Sequence, residues 1–432
     1  MTGFSQTPPT SIAVRSGGPS GSGCDIGTIL ITGDLLVKKP LALASKLAPC
    51  ALSSPFVKHV VILGEGFAGL ELATQLSESL ADEIRATLID HNDSFSFGFS
   101  KLDILFGRKP KADMLLAYRD ISKEGVEFRQ ERVISIDPQR RRVETDAASY
   151  DADILVVALG ADYDFAAIPG FEEDGVEYYS VAGAERMRDV LSDFDSGKIL
   201  IGILGHPFKC PPAPFEGALL LHDHFVERGI RDSVEIRTAG PMAAPVPITK
   251  DVSQSILDAL MTRGIEYMPN EHIVEVDARN KEARLASGGR IPYDLFVGIP
   301  VHRVPHVVER SGLAVDGWVP VEKTNLATRF PDVYAVGDVT GLPMAKAGVF
   351  AEAAARVVAA DIAARLHGDV LERPYEGAGT CYIEFGGGMV GMVEANFFGG
   401  PTPTARLVGP SRELAADKVA FASTRRERWF GS

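Results

Sequence analysis

The sequence is poor in cysteine, in positive charge and in long apolar runs, and each shortage removes a class of protein. Four cysteines in 432 residues are too few for a structural disulfide framework, so the fold has to rest on a hydrophobic core. Lys and Arg number 44 against 58 Asp and Glu, a formal charge of −14. A nucleic-acid-binding face needs the opposite excess to neutralise phosphates, so nucleic acid is not an expected partner. No uncharged apolar run approaches the ~20 residues of a membrane-spanning helix. A clean secretory signal is also missing, because no apolar stretch follows a basic start and no twin arginine stands near it. His222 and His224 are two apart on a candidate helix and do not share a face, so no metal site is expected there. What remains is 45% apolar and 24% charged residues, the composition of a soluble globular protein of two or three domains.

The most informative stretch runs from Val60 to Asp90. Val60-Val61-Ile62-Leu63 is a short apolar, β-branched run, as a buried parallel strand requires. Gly64-Glu65-Gly66-Phe67-Ala68-Gly69 follows at once and has the Gly-x-Gly-x-x-Gly pattern. Gly64 permits a tight turn, Gly66 lets a pyrophosphate approach the backbone, and Gly69 lets the next helix sit close on the strand. That helix carries apolar residues at Leu70, Ala73 and Leu76. Its N-terminus turns unsatisfied N–H groups toward the phosphates. Ala86-Thr87-Leu88-Ile89-Asp90 reads as the second strand, ending 21 residues after Gly69 in a carboxylate placed to accept ribose hydroxyls. Strand, turn, helix, strand and acid in register predict a dinucleotide site. A lone glycine turn would not.

The rest of the chain divides around this unit. Residues 1–56 are rich in Gly, Ser and Pro and read as a flexible extension, or as a start codon placed too early, with an export or targeting segment as the alternative; Cys24 and Cys50 lie there without an assigned role. Residues 57–165 form the first part of the nucleotide domain. It ends on a hydrophobic strand running into Ala158-Leu159-Gly160-Ala161, small residues that let the chain pass close to a cofactor. Residues 166–299 repeat the pattern, with a buried strand from Lys198, a helix over 218–228 and a strand at Val234. Between them stands Gly205-His206-Pro207-Phe208-Lys209-Cys210-Pro211-Pro212-Ala213-Pro214-Phe215-Glu216 in place of a glycine turn. Proline has no N–H to donate and bulky side chains block close approach, so this second nucleotide site is expected to be degenerate. Residues 300–373 return to the first domain through Tyr334-Ala335-Val336-Gly337-Asp338-Val339 and a long alanine-rich helix to about Leu366. Residues 374–432 read as a smaller third domain containing Cys381. The chain ends in a basic and aromatic segment, Arg425-Arg426-Glu427-Arg428-Trp429-Phe430, read as a solvated helix, with a lipid or partner contact as the alternative. The predicted fold class is therefore α/β, two interleaved Rossmann-like dinucleotide-binding domains plus a small C-terminal domain.

The early glycine turn, the Ala-Leu-Gly-Ala crossover and the late Tyr-Ala-Val-Gly-Asp-Val resemble the two-dinucleotide-domain flavoproteins of the disulfide-reductase type. Within that group the chain resembles the sulfide:quinone oxidoreductase and flavocytochrome c sulfide dehydrogenase branch. That likeness rests on Phe208 to Glu216 in place of the second fingerprint, on Lys346-Ala347-Gly348, on Cys381, and on their order. It covers about Val57 to Gly400. It implies FAD as cofactor, held by Gly64, Gly66, Phe67, Ala68, Gly69, Asp90, Ala158, Gly160, Gly337, Asp338 and Lys346. It also implies a redox-active Cys210–Cys381 pair, 171 residues apart in sequence. There are two departures from the branch: no third cysteine lies between Cys50 and Cys210, and Ala345 stands before the lysine where proline is usual.

The expected function is FAD-dependent oxidation of sulfide or a related sulfur species, with electrons passed to a quinone or a c-type cytochrome. Lys209 is expected to favour a thiolate at Cys210. Lys346 is expected to hold negative charge on the reduced flavin, and Glu216 or His206 to move protons. Two alternatives stay open: an NAD(P)H:quinone-type dehydrogenase of the same superfamily, and a non-enzymatic flavin redox sensor. Self-association, a peripheral membrane contact and the compartment also stay open.

Overall fold

The computed structural model describes residues 57–80, 82–246 and 248–431. Cys24, Cys50 and the reading of residues 1–56 lie outside them. The first sheet is built as the apolar runs require. β1 (Lys58–Leu63) pairs in parallel with β2 (Ile84–Asp90), with Leu63 opposite Ile89, and β2 pairs with β3 (Val126–Gln130). On the other side β1 pairs with β4 (Ile154–Val157). The second sheet follows, with β5 (Gly175–Val176), β6 (Gly197–Ile203), β7 (Val234–Gly240), β8 (Glu266–Pro269) and β9 (Leu295–Ile299) in the spatial order β5-β9-β6-β7-β8. Only then does β10 (Val333–Ala335) return to the first sheet and pair with β4. The first sheet thus has the order β10-β4-β1-β2-β3, every pairing parallel, and is interrupted in sequence by the whole of the second. This is the predicted interleaving.

Helix α1 (Phe67–Leu80) crosses from β1 to β2 and packs on α3 (Gly348–His367), with α2 (Ala213–Glu227) between them in sequence. The α1–α3 contact is made of small residues. Ala68 and Ala73 meet a buried alanine stripe on α3, Ala351, Ala354, Ala355 and Ala359, in one core with Leu72 and Leu76. Short side chains let two helices lie close while each still covers one face of the sheet. α3 ends on Gly368, whose φ of +78° closes the helix, matching the predicted end near Leu366.

α2 starts five residues before the predicted helix. Pro212 and Pro214 suggested a loop, but a first helical turn accepts proline because its N–H groups have no intrahelical acceptor.

The C-terminal region is a three-stranded antiparallel sheet, β11 (Ala378–Gly386), β12 (Met389–Asn396) and β13 (Thr404–Ser411), followed by α4 (Glu413–Phe430). The end of α4 corrects the sequence reading. Trp429 is fully buried and Phe430 nearly so. The indole packs edge-on against Phe67 and Phe95, with ring centroids 5.5 and 5.6 Å away. Arg428 pairs with Glu71 and Glu78 of α1, and Arg425 with Glu352 of α3. Arg425, Arg428, Trp429 and Phe430 face their own protein, because α1 and α3 present buried carboxylates to the two arginines, while Arg426 is exposed. No described helix is long and apolar enough to cross a membrane.

Candidate active site

A cavity of about 870 Å³ opens along the C-terminal edge of the first sheet and runs to the second and third domains. Its first end is the glycine turn. Gly64 has φ +95°, and a Cβ there would stand 2.5 Å from the Ala158 carbonyl oxygen. A Cβ on Gly69 would stand 2.0 Å from the Gly64 oxygen, so only glycine lets α1 begin this close to β1. Around Gly66 a Cβ would meet nothing within 4 Å, so the backbone there is bare to the cavity. Asp90, at the end of β2, lines the same end. Its carboxylate accepts the Glu65 N–H at 2.9 Å and the Asn92 N–H at 2.9 Å.

The predicted cofactor residues are brought together. Gly64, Gly66, Phe67, Ala68, Asp90, Ala158, Gly160, Gly337, Asp338 and Lys346 all line the cavity. Gly69 does not reach it and serves the packing beneath the turn. The N-terminus of α3 also points here, since Ala347 and Gly348 are in the wall. The geometry suits an extended dinucleotide: an open glycine backbone, a carboxylate at the strand end, and a volume near the upper end for small-molecule sites.

Cys210 and Cys381 reach the same cavity from different domains. Cys210 sits on the loop between β6 and α2. Its φ of +52° is left-handed, a conformation a side chain of this kind rarely adopts. The strain is held by two backbone bonds, Cys210 N–H to the Lys346 carbonyl at 2.7 Å and Ala213 N–H to the Cys210 carbonyl at 2.9 Å. The Lys346 segment of the first domain therefore clamps the cysteine loop of the second. Cys381 is on β11. Both are free thiols. Burial pushes both up, Cys381 to about 12, and the charge of Glu216 adds to the effect on each.

Glu216, in the first turn of α2, is buried and lines the cavity. Burial raises it to about 7; Lys418 and the Glu384 N–H, which donates at 2.8 Å, pull the other way. A carboxyl near 7 is suited to exchange protons at neutral pH.

One of the expected cations turns elsewhere. Lys209 lies over the Tyr163 ring, 4.4 Å from its centroid, and donates to its hydroxyl at 3.3 Å. The cation that acts on Cys210 is Lys418 of α4, ion-paired with Glu384. Sequence reasoning missed it because α4 comes 208 residues later (418 − 210). The Lys346 ammonium donates to the carbonyls of Asp338 at 2.7 Å and Thr340 at 3.0 Å, and stands 3.5 Å over the Trp318 ring. Burial lowers it to about 8. Also missed were Tyr178 and Tyr179, which line the cavity and are buried beside Cys210 and Glu216. Adjacent tyrosines after a strand carried no signal. His206 is lowered by burial and by Lys346, and does not line the cavity.

The pyridine nucleotide-disulphide oxidoreductase family model matches residues 58–202 and 224–358. The chain belongs to that family. It is an FAD-dependent oxidoreductase. Mouse mitochondrial sulfide:quinone oxidoreductase is 25% identical to this family member over 364 residues, 80% of each chain. The type II NADH:quinone oxidoreductase of Staphylococcus saprophyticus is 33% identical over 318 residues, 65% of this chain and 74% of that protein. The structure of the sulfide:quinone oxidoreductase from Aquifex aeolicus superposes with a TM-score of 0.77 at 22% identity, covering 86% of this chain and 92% of that one. These relatives support the branch that the Cys210 and Cys381 contexts suggested.

Proposed function

We propose that the protein oxidises sulfide, or a related sulfur species, at the Cys210–Cys381 pair and passes the electrons to a quinone. The observation that carries this is the convergence of the two cysteines, from different domains, on the flavin cavity with Glu216 in reach of both. Relatives of both kinds are quinone oxidoreductases by name, which favours a quinone over a c-type cytochrome.

Gly64, Gly66 and the start of α1 would hold the pyrophosphate, Asp90 a ribose, and Gly337, Asp338 and the α3 N-terminus the flavin end. In the oxidised enzyme the two cysteines form a disulfide. HS⁻ attacks one sulfur, a new S–S bond makes a persulfide, and the old S–S bond breaks to leave the other cysteine with the electron pair. Burial makes a bare thiolate costly here, so the departing sulfur needs a proton. Glu216 supplies it. A second HS⁻ takes the outer sulfur of the persulfide away as HSS⁻, and bound FAD would supply the acceptor for the two electrons and two protons released as the pair returns to the disulfide.

The second reading, NADH oxidation, is favoured by the Staphylococcus relative. The second domain argues against it. In the first turn of α2, Ala213 N–H bonds the Cys210 carbonyl, Phe215 and Glu216 N–H both bond the Pro212 carbonyl, and Pro214 has no N–H. No N–H of that turn is left for a pyrophosphate. β7, the counterpart of β2, ends on Gly240 where β2 ends on Asp90.

Anaerobic stopped-flow of the yellow protein decides between them. Sulfide is expected to bleach the oxidised-flavin band and NADH to leave it. Bleaching by NADH alone would overturn the proposal.

The role of Glu216 has its own signature. If its acid form protonates the leaving thiolate, the bleaching rate per HS⁻ declines as pH rises through about 7. Glu216→Gln is expected to be on the order of a hundredfold slower and to lack that decline. An unchanged profile in the variant would remove Glu216 from the proton path.

A further inference from the structure

We propose that Glu65, inside the glycine turn, is a neutral carboxylic acid that donates its proton as a hydrogen bond to an oxygen of the bound dinucleotide, while Asp90 beside it accepts. The inference rests on the FAD site and not on which substrate reduces the flavin.

Glu65 is the residue between the first two glycines, and it is fully buried. It lines the cavity, and neither carboxyl oxygen has a hydrogen-bond partner among the described residues. A buried polar group without a partner is costly, by an amount comparable to several hydrogen bonds if it is charged. Nor does any described cation pair with it: its neighbours are acidic or neutral. Asp90 faces it from β2, and Tyr118 donates its hydroxyl to the Glu65 carbonyl oxygen at 2.8 Å. His91 and Asp93 lie one step further out, against Asp90 and Tyr118 respectively.

Hydrogen bonds distinguish the two carboxyls. Asp90 accepts three: the Glu65 N–H, the Asn92 N–H and the Asn92 side-chain amide at 2.8 Å. Glu65 receives none, and burial, with the charge of Asp90, pushes it to about 10. It therefore holds one O–H and one acceptor oxygen unpaired and covered in the cavity wall. A carboxylate at this place would repel the cofactor's phosphates; a carboxylic acid can donate to their oxygens or to those of a ribose. The turn so carries a complementary pair, Asp90 taking hydrogen bonds from hydroxyls and Glu65 giving one.

The test uses apoprotein of the full chain, titrated with FAD at pH 7 and followed by flavin fluorescence, with melting of the apoprotein as a second readout. Glu65→Gln keeps a donor and cannot ionise, so its FAD affinity is expected within about threefold of wild type. Glu65→Ala is expected to bind about tenfold more weakly, the loss of one hydrogen bond. The melting comparison holds even if the alanine variant folds poorly. A carboxyl that ionises at an ordinary value when unfolded and at a raised value when folded takes stability away as pH rises above about 4.5. Glu65→Gln is free of this. It should melt together with wild type at pH 5 and higher than wild type at pH 8, by on the order of 5 °C. Wild-type affinity in Glu65→Ala, or a melting difference that does not change with pH, would overturn the assignment.

Discussion

Replacing either Cys210 or Cys381 by serine is expected to slow sulfide-dependent bleaching of the flavin by a factor on the order of 10³ or more. The proteins should remain yellow and fold normally. Both parts of this expectation come from the site. Serine nearly conserves the volume of cysteine, and both residues stand in the cavity wall, so packing changes little. The backbone bonds that hold the Cys210 loop, to Lys346 and Ala213, involve no sulfur and survive the change. What would be lost is the S–S bond of the proposed mechanism, which a hydroxyl cannot form. A small buried hydrophobe is the ordinary alternative for a cysteine. It predicts the reverse pattern, a shifted melting temperature with bleaching intact. Measuring bleaching rate, FAD content and melting temperature on both variants separates the two. Near-wild-type bleaching in either variant would remove the disulfide from the mechanism, because one cysteine alone cannot complete it.

The parts of this molecule that were legible in its sequence are those fixed by neighbours in the chain. Val60 to Asp90 could be read at sight because strand, turn, helix and acid each act on the next few residues. The proline-rich loop was read as a lost nucleotide site for a local reason as well, and in α2 the first-turn N–H groups are absent or already bonded. Reading failed where partners come from far along the chain. Lys209 adjoins Cys210 in sequence, so it seemed the natural cation, yet its ammonium turns to Tyr163 and the cation that acts is Lys418. Lys346 was recognised by its motif, but the two carbonyls and the indole that hold it depend on how the 338–346 loop closes. Glu65 was in plain view between two glycines. Only burial without a partner marks it, and burial is not a property of a motif.

The end of the chain shows the same limit with the largest structural consequence. Trp429→Ala is expected to cost about 3–5 kcal/mol of stability, the usual loss for a fully buried large aromatic. The indole is locked by its ring contacts and by its N–H, which donates to the Glu71 carboxylate at 2.8 Å. Glu71 is itself fully buried on α1. Burial alone would raise its carboxyl, but hydrogen bonds from Arg428, Arg356, Trp429 and Gln75 outweigh that and bring it down to about 2. A carboxyl lowered in the folded state contributes stability above its unfolded value of 4.5, and that contribution disappears as pH falls through about 2. The difference is worth on the order of 3 kcal/mol at neutral pH. Glu71→Gln is therefore expected to unfold at lower denaturant than wild type at pH 7, with the gap narrowing toward pH 3. The gap for Trp429→Ala persists further into acid, because its packing does not titrate. Urea midpoints at the two pH values distinguish charge from packing, and equal midpoints for all three proteins would mean that α4 is not docked. Docking also bears on the cofactor. Trp429 rests on Phe67, and Phe67 lies inside the glycine turn and in the cavity wall. Loosening the last turn of the chain should then loosen the dinucleotide, so the tryptophan variant is expected to lose FAD more readily than wild type on gel filtration at pH 7.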